Sequence, residues 1–185
     1  MAIDANSLIT TIGDSTSNSY VTLEEFADYR DLNRINADAF DGATADNKVR
    51  ALIMAARRLS RLNWRGGKVS GNQALSWPRL EVPVRDSSLD GISLYGTMSE
   101  SRYTGGFYGD YYESTIIPEI IKNAQCELAI AYLEGFEQSE GQQIKSFSAD
   151  GVRIDYATSS KGGALPATVQ QMISGLLTGE RLVRG

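Results

Sequence analysis

The chain has 185 residues, 42% apolar and 22% charged, which fits one soluble globular domain, alone or with arms. Its 18 Lys and Arg against 23 Asp and Glu give a net charge of -5, so any nucleic-acid contact needs a local basic patch rather than bulk electrostatics. Histidine is absent and Cys126 is the single cysteine, which excludes Ser-His-Asp and Cys-His machinery, imidazole metal ligands, intrachain disulfides and multi-cysteine zinc sites. No enzyme activity and no cofactor are expected. No apolar run approaches the ~20 residues needed to span a bilayer, and MAIDANSLITTIGDS lacks the basic start of a secretory signal. The expectation is an intracellular protein with no membrane partner.

Residues 1–19, rich in Ser, Thr, Asn and Asp, read as an extended arm or strand ending in a loop. Thr22-Leu23-Glu24-Glu25 is a capping box, so a helix starts there and runs to about Asn33 with Leu23, Phe26 and Ala27 at helical spacing. Gly42 lies in the next loop, and Thr44 or Asp46 can cap a second helix. In it Val49, Leu52, Ile53, Ala56, Leu59 or Ser60, and Asn63 fall on one stripe. Arg50, Arg57, Arg61 and Arg65 follow the same spacing on another face, with Arg58 beside them. Ala51, Ala55 and Ala56 permit close approach of a neighbouring helix, and Gly66-Gly67 is expected to stop this one.

The stretch 80–116 changes character. Tyr95, Tyr103, Phe107, Tyr108, Tyr111 and Tyr112 alternate with glycines over a span too long for an ordinary connector. It reads as a projecting loop whose aromatics contact a tail protein or a neighbouring subunit. Ile117-Pro118-Glu119 opens a third long helix, with Ile117, Ile120, Ile121, Ala124, Leu128, Ala131 and Tyr132 as its apolar face and Gly135 at its end. Cys126 falls inside it as a buried, inert thiol. Residues 144–148 and 152–156 read as two strands joined by Ala149-Asp150-Gly151. Ser159 to Gly163 reads as a hinge. A last helix then carries Val169, Met172, Ile173, Leu176 and Leu177.

The most specific stretch is residues 46–79. A basic, Ala-rich helix leads to Trp64-Arg65-Gly66-Gly67-Lys68 and then to Gln73-Ala74-Leu75-Ser76-Trp77-Pro78-Arg79. Together with Asn18-Ser19-Tyr20-Val21-Thr22, Ile121-Lys122-Asn123-Ala124-Gln125-Cys126-Glu127-Leu128-Ala129 and Val152-Arg153-Ile154-Asp155-Tyr156, this order resembles the head–tail connector (adaptor) proteins of tailed phages. Sequences of this pattern also carry the description DnaT-like single-stranded-DNA-binding. The resemblance covers most of the chain except the Tyr/Gly insert, which is longer than the family pattern.

The resemblance implies a small helical bundle with a β-hairpin and a C-terminal helical arm, and with the long Tyr/Gly-rich loop read from the residues the expected fold class is mainly α. It implies an adaptor domain over 1–158 and a hinge and portal-binding arm over 159–185, in which Val169, Met172, Ile173, Leu176, Leu177, Arg181 and Arg184 are the candidate contacts. It implies a homo-oligomeric ring, a dodecamer, that joins the portal protein to tail or neck proteins. Packaged DNA passes through it without sequence-specific contact. The place implied is the virion neck, reached from the host cytoplasm during assembly.

Arg50, Arg57, Arg58, Arg61 and Arg65 are candidates for channel lining or for a subunit interface, the alternative being a solvated face or intrachain salt bridges. Trp64, Trp77, Pro78 and Arg79 are candidate packing anchors, because proline forces its predecessor out of the helical region. Gly66-Gly67-Lys68 lacks the G-x-x-x-x-G-K-[ST] spacing of a phosphate loop. The competing function is single-stranded-DNA binding, which needs aromatic platforms beside a basic groove.

Overall fold

A computed structural model of the chain describes residues 7–35, 38–84, 111–136, 146–149, 152–155 and 165–178. The fold is mainly α. The helices are α1 (Leu23–Asn33), α2 (Asp38–Asp41), α3 (Ala45–Ser60), α4 (Glu119–Leu133) and α5 (Ala167–Ile173), and a 3₁₀ turn, Ser174–Leu176, follows α5. Two-residue strands β1 (Gly67–Lys68) and β2 (Arg79–Leu80) pair antiparallel. The longer strands β3 (Ser146–Ala149) and β4 (Val152–Asp155) form the expected hairpin, in register from Ser146↔Asp155 to Ala149↔Val152. Ala149 therefore belongs to a strand, and only Asp150 and Gly151 lie between the paired ends.

Local chemistry sets the helix starts. Thr22 Oγ1 accepts from Glu25 N at 3.1 Å and Glu25 Oε2 accepts from Thr22 N at 2.7 Å, completing the capping box. Thr44, not Asp46, caps α3 by accepting from Asn47 N. Pro118 is the N-cap of α4, one position earlier than a first-turn proline. Gly135 follows the end of α4 with φ +87°, the left-handed conformation of a helix stop.

α4 is the centre of the molecule. Residues 124–130 are buried without interruption, so the helix is covered on all sides, and α1, α2, α3 and α5 all pack against it. Ala51, Ala55 and Ala56 of α3 and Ala124 and Ala129 of α4 are fully or nearly fully buried, and their small side chains allow the two helices close approach. The buried face of α3 is centred on Leu52, Ala55 and Leu59. Ile53 is half-buried, and Asn63 lies exposed beyond the helix, so both fall outside the stripe expected from the sequence.

Polar side chains also hold α4. Gln125, wholly buried, accepts from Tyr20 N at 2.9 Å and donates to Ser19 Oγ at 2.8 Å and Leu52 O at 3.0 Å. The Ser19-Tyr20 segment and α3 are thereby tied to one amide of α4. Cys126 is 2% exposed, and burial pushes its thiol pKa up to about 12 from 9.0, with Glu25 and Glu127 nearby adding to the shift. The native thiol is expected to react with maleimide or iodoacetamide only as fast as the protein unfolds. The stability linked to its protonated form is complete below about pH 9 and lost as pH rises from 9 to 12, because the unfolded thiol ionises first. A fast-labelling native thiol at pH 8 would contradict this.

Four regions differ from the sequence expectation. Residues 7–19 are no extended arm: Asn18 Nδ2 donates to Ser7 O, Asn18 Oδ1 accepts from Ile9 N, and Asp14 O accepts from Ala74 N, folding the segment back onto the core. α2 occupies part of an expected loop because Phe40 buries edge-on against Phe26, ring centroids 4.9 Å apart. α3 stops at Ser60, capped by Arg61, before Gly66-Gly67 is reached. Finally, α5 is docked, with Val169 and Ile173 fully buried and Leu176 nearly so in the same core cluster as α4.

Candidate functional site

The anchor block is built around Trp77, 1% exposed. Its ring meets Trp64 edge-on at 5.7 Å and Tyr112 at 6.1 Å. Trp64 Nε1 donates to Leu59 O at 2.8 Å, which turns the chain back into the core just after α3. Gln73, buried, donates from Nε2 to Leu75 O and Pro78 O and accepts from Ser70 N. Tyr20 Oη accepts from Ser76 N and Trp77 N, and burial raises its pKa. Trp64, Trp77 and Pro78 thus lie together in the interior.

Arg79 acts differently from a packing residue. Its guanidinium donates to Arg65 O at 2.7 Å, Gly66 O at 2.7 Å, Ser76 O at 3.1 Å and Trp64 O at 3.4 Å. One planar fork satisfies the carbonyls of residues 64–66 and of Ser76, beside the two-residue pairing of β1 and β2. This is the physical content of the Leu75-Ser76-Trp77-Pro78-Arg79 block: it is a structural lock.

Two peripheral segments leave from the same place. The Tyr/Gly insert is closed at its base by the Pro83↔Tyr111 bridge and by Tyr112 N donating to Val82 O at 3.0 Å. Tyr112 is half-buried on Trp77 and Tyr111 is exposed, while Tyr95, Tyr103, Phe107 and Tyr108 lie outside the described residues. The C-terminal segment returns through the Trp64↔Leu177 bridge, with Arg65 N donating to Leu176 O and Thr178 N to Asn63 O. Of the candidate arm residues, Val169, Ile173 and Leu176 face the core, Met172 and Leu177 are half-buried, and Arg181 and Arg184 lie outside the described residues, as does the hinge.

The arginines separate into three kinds. Arg50, Arg57 and Arg61 are exposed and their side chains have no hydrogen bond or ion pair among the described residues. At 100° per residue they share one stripe opposite the buried face. Arg58 is half-buried and engaged within the chain. Arg65 lies beyond the helix, where its Nε donates to Leu177 O at 3.1 Å. Beside the stripe, Asn47, Arg50, Met54, Tyr132, Leu133 and Gly135 line a shallow groove.

A charged cluster that sequence reading missed joins α1 to α4. Glu127 is 5% exposed; Tyr29 Oη donates to its Oε1 at 2.8 Å, Arg34 Nε donates to the same oxygen at 3.2 Å, and Arg34 Nη2 pairs with Oε2. The hydrogen bond to Glu127 raises the Arg34 pKa. Arg34→Ala would leave a buried carboxylate with only a phenol as partner. The expected cost is about 2–3 kcal/mol, below the about 3–5 kcal/mol for breaking a fully buried pair because Arg34 is partly exposed. Chemical unfolding would check it; a loss under ~0.5 kcal/mol would class the pair as an ordinary surface bridge.

Among the described residues, no group of three metal-ligating side chains occurs and no helix is long and apolar enough to cross a membrane. The molecule is a small helical bundle with a β-hairpin, a basic helix face without side-chain partners among the described residues, and two segments anchored on one tryptophan-centred lock. The chain belongs to the family described as "Putative DnaT-like ssDNA binding protein", whose sequence profile matches residues 7–91 and 102–185. The break at 92–101 falls inside the Tyr/Gly insert. No curated protein and no solved structure matches the chain.

Proposed function

We propose that the chain is the structural head–tail adaptor of a tailed bacteriophage, a ring-forming protein that joins portal to tail and extends the DNA channel. The observation that carries this reading is the lock around Trp77 and Arg79. The residues of the adaptor-like block are those that tie the insert and the C-terminal segment to one core. Such a build suits an assembly part, a rigid body that presents separate segments to separate neighbours. The mechanism is repeated weak contact, which a ring converts into avidity. Cryo-electron microscopy of the chain co-expressed with its portal protein tests the reading. A ring at the narrow end of the portal is expected, and absence of any portal association would overturn it.

The insert is the proposed contact to the tail. Because its base is clamped, replacing residues 85–110 with a short Gly/Ser linker is expected to change stability by no more than about 0.5 kcal/mol while abolishing tail attachment. Unchanged tail attachment would remove the insert from the interface.

A second reading, single-stranded-DNA binding, is favoured by the family description and by the groove that sets Tyr132 beside Arg50. Fluorescence anisotropy with oligo-dT decides it. Binding that weakens between 50 and 200 mM salt and disappears in an R50A/R57A/R61A variant would support this reading over the first.

A further inference from the structure

The unpaired face of α3 has a counterpart on the same molecule. On α1, Glu24, Asp28 and Asp31 are exposed and share one stripe, with Leu32 beside them and Ile35 following. Glu24 and Asp28 have no partner among the described residues, whereas Asp31 is paired with Arg30. Leu32 is 84% and Ile35 100% exposed, unusual for large apolar side chains, and Met54 on the α3 face is 38% exposed.

The two faces match in register. Laid antiparallel, Glu24 falls opposite Arg61 and Asp28 opposite Arg57. Asp31 then falls opposite Met54, with Leu32 beside it. The alignment needs only the common helical pitch, since each face repeats at three and four residues. It pairs two acids with two arginines that have no side-chain partner among the described residues, and it covers the apolar Leu32 and Met54 beside those pairs. Within one chain the pairing is not made, because α1 and α3 pack on α4 with these faces turned outward.

We propose that the acidic face of α1 on one copy docks against the arginine face of α3 on the next. The occupant of each face is a second copy of this chain. Because the faces differ and lie on separate helices, the contact is heterologous, and repeated copies close into a ring or continue as a filament. This inference rests on the ring-forming reading above and supplies its subunit contact. Each such contact is weak and screened by salt, so the free chain associates only at high concentration.

Cross-linking tests the register directly. Cys126 is buried, so cysteines introduced by D28C and R57C in one full-length chain are the accessible thiols. Mild oxidation at high protein concentration and low salt is expected to give a ladder of covalent oligomers on non-reducing gels, suppressed at 500 mM salt. The offset pair D28C/R50C should give none. In sedimentation velocity, D28R or R57D alone should abolish self-association and the combined swap D28R/R57D should restore it, a rescue that DNA binding would not produce. Monomers in every condition, a closed two-fold dimer as the end state, or cross-links equal for the matched and offset pairs would each overturn the proposal. A portal-bound ring seen without this pairing would sink the inference alone, whereas no portal-bound ring at all would sink the adaptor reading with it.

Discussion

Trp77→Ala is expected to lower the unfolding free energy by about 3–5 kcal/mol, the range for removing a large buried aromatic. Trp77 contacts Trp64 and Tyr112 edge-on, so the loss combines a cavity with two aromatic pairings worth about 0.5–1.5 kcal/mol each. Trp77→Phe keeps a ring in place and should cost distinctly less. Urea unfolding followed by circular dichroism measures both. A loss below ~1 kcal/mol for the alanine variant would mean that the lock survives without its central ring.

Gly66→Ala should be comparably damaging although it removes nothing. The residue sits at φ +67°, and an added Cβ would lie 1.9 Å from Leu80 O and 2.9 Å from a methyl carbon of Val82. A left-handed backbone costs a non-glycine residue about 1–2 kcal/mol, and relieving the overlap adds about 1–3 kcal/mol. The nearest atom is a carbonyl oxygen of β2, so the backbone itself has to move and the carbonyls held by Arg79 move with it. Gly67→Ala, with open space around the added carbon, is the matched control and should cost little. Equal effects of the two substitutions would refute the close-approach argument.

Gly66 also marks where sequence reading reached its limit. A glycine pair a few residues past a periodic run reads as a helix stop, yet α3 ends at Ser60 because Trp64 must turn into the core. The reason for the glycine lies across the β1–β2 pairing, at Leu80. Signals contained within a few residues were legible: the capping box at Thr22, the stop at Gly135 and the hairpin of β3 and β4, whereas the α3 cap was narrowed only to Thr44 or Asp46 and the hairpin connection was read one residue too long. The adaptor-like block was legible as a unit, but Arg79's role was not, since its four carbonyl partners are backbone atoms. Gln125 and Glu127 lie outside the apolar face that the sequence assigns to α4. They are buried because their partners, Tyr20 and Tyr29, come from 105 and 98 positions earlier in the chain. The C-terminal helix was legible as amphipathic, but amphipathicity does not say whose core an apolar face enters. Here Val169, Ile173 and Leu176 enter the chain's own. A portal contact through this segment would use its polar outer face or require undocking.

The clamp formed by Pro83, Tyr111 and Tyr112 bears on how a protein of this kind can diversify. Once the two ends of the insert are pinned side by side, the entropy of closing it depends only logarithmically on its length, and each doubling costs about 0.6 kcal/mol. Residues can therefore be added or lost between the pins with little effect on the rest of the fold. The break in the family match at 92–101 falls inside that tolerant span. The insert is in this sense an exchangeable tip on a fixed handle.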